Sequence, residues 1–175
     1  MDESEDSVTL RPMELQDADV IAEWAADPEF CRTADWTADL PFTERQRFHQ
    51  TLIESPPPGL IRLGAIHGGL LVGYVDLHGD EPHRRELGFV IGERGRWGQG
   101  LGRLAGAAAL DYAFDHLGLQ LVWAEAMDAN QRSVRILQRL GLVETGRGDE
   151  GNFLGQPTHY RRFAISARDW CGGTH

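Results

Sequence analysis

The sequence predicts an α/β (α+β) domain, a mixed sheet with helices on both faces. Three observations predict it. Short runs rich in Ile, Leu and Val alternate with segments whose apolar residues recur at helical spacing. Two of these runs flank His67-Gly68-Gly69, a hairpin signal. A third, Glu86–Ile91, enters a glycine-rich loop that opens into an Ala/Leu-rich segment. The order is β-α-α-β-β-β-α-β-α-β-β, in a chain of 175 residues that fits one domain.

Each element has a local reason. Val8 to Arg11 is a short strand stopped by Pro12. Asp17 is positioned to cap a helix carrying Val20, Ile21 and Trp24 on one face, ending before Pro28. Thr43-Glu-Arg-Gln46 has capping-box spacing and starts a helix to about Glu54, broken by Ser55-Pro-Pro-Pro-Gly59. Leu60–Ile66 and Leu70–Leu77 form the hairpin, and Glu86–Ile91 is the central strand. A helix runs from Gly100 to a C-capping Gly118. Gln120–Met127 is a strand. Asn130 caps a short helix ending at Gly141. The last strands are 142–146 and 158–166, around a Gly/Asn/Pro-rich turn region at 148–157. Residues 1–7 read as a disordered acidic tail, 8–170 as the domain and 171–175 as a C-terminal tail.

Composition narrows the function. The hydrophobic fraction is 41% and the charged fraction 25%, ordinary globular values. Two distant cysteines, Cys31 and Cys171, make neither a disulfide framework nor a paired metal motif, so no metal is expected. The acidic first residues are unlike an export signal, and no apolar run approaches membrane-spanning length. A cytoplasmic protein without membrane or nucleic-acid partners is expected, because no basic stripe stands out. The net charge of −10 is uneven: residues 1–60 hold 14 acids and 4 arginines, whereas residues 61–175 hold 13 of each. This acidity is a solvating surface or an attraction for a cationic ligand.

The glycine loop, Arg96-Trp-Gly98-Gln-Gly100-Leu-Gly102, can converge backbone N–H groups on a phosphate at a helix start. A dinucleotide fingerprint matches Gly100 to Ala105, but a loop intervenes after the strand and too little chain remains for a doubly wound sheet. A P-loop needs Gly-Lys, and the chain has no lysine. The segment resembles the coenzyme A pyrophosphate loop of the Gcn5-related N-acetyltransferase (GNAT) superfamily. Trp97, Gly100 and Gly102 stand at the three positions of its motif. Trp97 replaces the usual Gln or Arg, as is typical of the RimJ/RimL-like branch. Asn130-Gln-Arg-Ser133-Val-Arg-Ile-Leu137-Gln-Arg-Leu-Gly141 resembles that branch's following helix.

The resemblance covers about residues 8–170. It implies a mostly antiparallel sheet of about seven strands with a splayed central pair. It also implies acetyl transfer from acetyl-CoA to a primary amine by direct attack in a ternary complex. Coenzyme contacts are expected at Phe89, Val90 and Ile91 in the splay, at Arg96, Trp97, Gly98, Gln99, Gly100, Leu101 and Gly102, and at Asn130 and Ser133. An amine is protonated at neutral pH, so a base is needed. Glu86 is the first candidate, Glu125 the second and Asp76 the third. The helix tyrosine that reprotonates the thiolate in many relatives is Leu137 here, leaving Ser133, His159 and Tyr160 as candidates for that step. Asp35, Trp36, Asp39 and Glu86 are expected to line the acceptor site. The acceptor is a peptide N-terminus, a polyamine, an amino sugar or an aminoglycoside; a homodimer is left open. The alternative is a non-catalytic acyl-CoA-binding or dimerisation module. Arg132, Arg135 and Arg139, at helical spacing, read as a solvated face, with one of them reaching a coenzyme phosphate as the alternative; Arg94, Arg96 and Arg103, around the glycine loop, are better placed for phosphate.

Overall fold

In a computed structural model, which describes residues 6–170, seven strands form one sheet in the order β1-β2-β3-β4-β5-β7-β6. The strands are β1 (Thr9–Pro12), β2 (Leu60–His67), β3 (Leu70–His78), β4 (Arg84–Ile91), β5 (Leu121–Met127), β6 (Val143–Phe153) and β7 (Gln156–Ser166). All neighbours are antiparallel except β4 and β5. The helices are α1 (Asp17–Trp24), α2 (Pro28–Ala34), α3 (Phe42–Glu54), α4 (Leu101–Asp111) and α5 (Gln131–Arg139). The predicted mixed sheet with helices on both faces is present. Of the expected tails, residues 1–5 and 171–175 lie outside the described residues.

Strand alternation sorts two cores. On one face, Val75, Leu77, Leu87, Val122, Ala124 and Phe163 pack against Leu101, Ala105 and Ala109 of α4 and Val134 and Leu137 of α5. On the other, Leu71 and Tyr74 pack against Ile21 and Trp24 of α1 and Phe30 and Cys31 of α2. Among the described residues no helix is long and apolar enough to cross a membrane.

Four expectations need correction. The sequence reading ended a helix before Pro28 and missed α2. Asp27 caps α2 by accepting from the Glu29 N–H at 3.1 Å, with Pro28 at the first turn, a start signal that was in the sequence. Asp17 does not cap α1. It is buried and pairs with Arg11 at 2.7 and 2.9 Å, while accepting from the Glu14 N–H. The capping box at Thr43 does not form, because the cap stands two residues earlier, at Pro41, and Thr43 is already inside α3. The 148–157 region is no broad turn: β6 and β7 run through it on two register shifts and close at Leu154–Gly155. Proline and glycine marked that stretch as a turn, but bulges let a strand carry them.

Candidate active site

The site begins where the sheet opens. β4 and β5 pair only through Arg84↔Leu121, Arg85↔Val122 and Glu86↔Trp123. Beyond Glu86 the strands diverge, so Glu86 stands at the apex of a gap. The Gly92 N–H donates to the Val72 carbonyl at 2.8 Å. Antiparallel alternation then turns the backbone of Val90 to β3 and that of Phe89 and Ile91 into the gap. The Ile91 carbonyl accepts from the Trp97 indole N–H at 2.8 Å. Phe89 therefore offers both backbone groups and Ile91 its N–H. Val90 contributes its side chain, on the opposite face.

A cleft of about 620 Å³ opens from this gap. Of the residues expected to contact the coenzyme, Phe89, Val90, Ile91, Arg96, Trp97, Gly98, Gly100, Leu101, Gly102, Asn130 and Ser133 line it. Gln99 does not line it: its amide donates to the Gly95 carbonyl at 3.1 Å and braces the loop. Gly98 and Gly100 have φ of 82° and 83°, where other residues are strained, and the space where a side chain would stand is open. Gly100 precedes α4 without any side-chain cap, so the first-turn N–H groups remain available to an anion. Gly102 also serves packing, since a Cβ there would stand 2.9 Å from Ile136 of α5. The Asn130 carboxamide accepts from the Ser133 N–H at 3.3 Å and caps α5. Uncapped N–H groups, glycine backbone and free strand edge fit an extended coenzyme with a diphosphate.

Sequence reasoning missed part of the lining. Phe30, Thr33 and Ala34 come from the unpredicted α2. Asp27 ties that helix to the glycine loop through Arg94. Arg132, Arg135 and Arg139 line the cleft rather than a purely solvated face, and they join Arg103 of α4, which was expected beside the loop. Their i, i+3, i+7 spacing was legible, but the direction of that helix face was not.

The candidate acids share one face of the sheet. Glu86, Glu125 and Asp76 alternate with the core residues Leu87, Ala124 and Val75, so all three project away from α4. They differ in what occupies them. Asp76 is bound by the half-buried Arg62 through two bonds of 2.7 and 2.8 Å. Glu125 accepts from Arg162 at 3.1 Å. Glu86 forms no ion pair among the described residues. Burial pushes its carboxyl above the usual range, and the charge of Glu125 pushes the same way, against His78 and Arg162. Burial, then the charges of Asp35, Glu125 and Glu86, raises the Tyr160 phenol, which brings Asp35 into the same acidic cluster. Asp39 acts instead on the Cys31 thiol, whose pKa is raised chiefly by burial. Trp36 packs edge-on to Phe30 at 5.1 Å and against His49 at 5.4 Å.

Residues 7–143 match the acetyltransferase (GNAT) domain family. The chain belongs to that family. It is 27% identical over 175 residues to p20 of Bacillus licheniformis, an uncharacterized N-acetyltransferase, covering 94% of this chain and 96% of that one. It is also 27% identical over 177 residues to YdaF of Bacillus subtilis (strain 168), provisionally named a ribosomal N-acetyltransferase, covering 94% of each. The expected RimJ/RimL-like branch therefore holds. The fold is similar to that of spermidine N-acetyltransferase from Vibrio cholerae, solved with CoA and spermine. Its TM-score is 0.78 at 22% identity, covering 94% of this chain and 98% of that one. Aminoglycoside acetyltransferase AAC(6')-Ib, solved with coenzyme A, gives 0.73 at 17% identity, covering 93% and 96%. This GNAT domain is an acetyl-CoA-dependent acetyltransferase.

Proposed function

We propose that this chain acetylates a primary amine carrying several positive charges, a polyamine or an aminoglycoside, with Glu86 as the base. The observation that carries the reading is Glu86 at the apex of the β4–β5 gap, free of any ion pair among the described residues and raised in pKa. The diphosphate of acetyl-CoA sits on the glycine loop and the start of α4. The pantetheine arm bonds the open backbone of Phe89 and Ile91, and Asn130 and Ser133 flank it. The thioester then reaches the gap, where the amine approaches from the acidic face.

The step is direct. The neutral amine nitrogen attacks the thioester carbonyl carbon, and its surplus proton passes to Glu86, directly or through water. The tetrahedral oxyanion is stabilised by fixed N–H groups along β4. The C–S bond breaks, releasing the N-acetyl product and the coenzyme thiolate. Tyr160, kept protonated by burial and by Asp35, Glu125 and Glu86, is the candidate donor to that thiolate.

Asp35, Glu86 and Glu125 together favour a polycation. Structural neighbours solved with spermine or named for aminoglycosides support that class. The name of YdaF supports a peptide N-terminus as second reading. Thiol release from acetyl-CoA, measured over a panel of polyamines, aminoglycosides, amino sugars and N-terminal peptides, tests both. Turnover of peptides alone would remove the polycation. No turnover with any amine would leave a non-catalytic acyl-CoA-binding or dimerisation module. A soluble, cytoplasmic protein suits the small-molecule readings.

A further inference from the structure

The acidic face of the sheet carries a fixed cation. Arg162 of β7 donates to the Glu125 carboxylate at 3.1 Å, and its guanidinium carbon is 5.1 Å from the Trp123 ring centroid. Trp123 stands opposite Glu86 in the β4–β5 register, and Glu125 follows two residues on, on the same face. The charge of Arg162 acts on the Glu86 carboxyl as well. A face suited to a polycation thus holds a positive charge of its own, beside the candidate base.

The seat is firmer than its occupant. One Glu125 oxygen accepts from Arg162, and the other abuts Gly148, where an added Cβ would overlap it. β6 shifts register between Arg147 and Glu150, so a bulge lays its backbone against the carboxylate. The Glu125 side chain is 18% exposed and that of Arg162 46%. A half-exposed ion pair contributes little, because solvent screens it and a long side chain loses entropy when held. An ammonium group can therefore replace the guanidinium, since an aromatic face and a carboxylate attract either cation. Arg84, the other cation near the Trp123 ring at 5.7 Å, precedes Glu86 at the closed end of the gap and pairs with Glu81 at 3.8 Å.

We propose that Arg162 is a specificity-determining residue, an internal stand-in whose guanidinium occupies the seat of the acceptor's second ammonium on Trp123 and Glu125. The proposal rests on the reading of this face as the acceptor site. The reacting nitrogen stands at Glu86 and the second at Glu125, residues whose Cα atoms are at least about 8 Å apart at ordinary strand spacings. A short aliphatic spacer bridges that interval. The β6 backbone at Gly148 stands directly on Glu125, which leaves room for a slim chain rather than a sugar ring. The seat therefore selects an aliphatic polyamine over an aminoglycoside. An acceptor with one positive charge leaves Arg162 in place; one with two displaces it towards solvent.

Steady-state kinetics with diaminobutane and butylamine tests it, on the wild type, Arg162→Ala and Glu125→Gln. The two amines share one chain and differ in the second charge. The wild type should favour the diamine in kcat/KM. Arg162→Ala empties the seat and should widen that preference at least about threefold, by lowering the KM of the diamine. Glu125→Gln should narrow it by at least about fivefold. Taking the ratio of the two amines cancels any effect of a variant on Glu86, which serves both. Retained acetyl-CoA affinity, by calorimetry, shows that each variant is folded. A preference that Arg162→Ala narrows or leaves unchanged overturns the stand-in, since Arg162 would then only brace Glu125. Turnover of aminoglycosides but of neither amine also overturns it and leaves the polycationic acceptor standing. No turnover of any polycation removes that acceptor class and the seat with it.

Discussion

A carboxylate can act as a base only if nothing else occupies it. Asp76 is committed to Arg62 by two bonds, and Glu125 accepts from Arg162. Glu86 has no such partner among the described residues and is raised in pKa. Glu86→Gln keeps the shape and removes the basicity. It should lower kcat by roughly 10²–10⁴, with acetyl-CoA affinity unchanged by calorimetry. The base works deprotonated, so wild-type kcat/KM should fall as pH drops through a pKa above the ordinary carboxylate range, and the variant should lose that limb. Activity within about threefold of wild type from pH 6 to 9 would move the role elsewhere. At the loop, Gly100 has positive φ and open space beside it. Gly100→Asp would set a carboxylate in the anion seat, and acetyl-CoA binding should weaken at least about tenfold. Unchanged affinity in a folded variant would remove the diphosphate from this loop.

Elements are held in place by close approaches that sequence patterns describe poorly. Gly92, after β4, lies against Trp24 of α1, where an added Cβ would overlap the indole carbons. Trp24 is 3% exposed and cannot swing away. Gly92→Ala should therefore cost towards the upper end of about 1–3 kcal/mol, seen as a lower urea midpoint at unchanged slope. Gly146→Ala, with no atom within 4 Å, should be close to neutral. Equal midpoints for the two would mean that α1 is not wedged on β4. Such contacts separate what was legible from what was not. The hairpin at His67-Gly68-Gly69, the strand entering the loop and the Asn130 cap were readable, because each rests on local chemistry. The loop motif was readable as well, since backbone freedom leaves glycine as its trace. The second role of Gly102, seating Ile136, needs a helix distant in sequence. The cleft-facing arginines of α5 needed the same packing, because spacing gives a stripe and not its direction. α2 was missed although Asp27-Pro28 signals a start, because the proline was read only as a stop.

Across the whole molecule, charge is divided by function. The cleft proposed for the coenzyme is lined by arginines, whereas the excess acidity lies in residues 1–60 and in the cluster around Tyr160. If that cluster draws a polycationic acceptor, the attraction must be screened by salt, with a Debye length near 10 Å at about 0.1 M. For a polyamine or aminoglycoside, kcat/KM should fall clearly between about 20 and 300 mM salt, mainly through KM. An amine of single charge should respond far less. The residues at issue can be separated. Asp35 acts on the same phenol as Glu86 and Glu125, whereas Asp39 acts on Cys31. Asp35→Asn should therefore flatten the salt dependence for the polycation, and Asp39→Asn should change it little. Neither should alter acetyl-CoA affinity, because neither residue lines the cleft. Equal salt sensitivity for every acceptor would make the acidity a solvating surface. The choice would then turn to a peptide N-terminus or a lightly charged amino sugar, whose recognition depends on shape and hydrogen bonds.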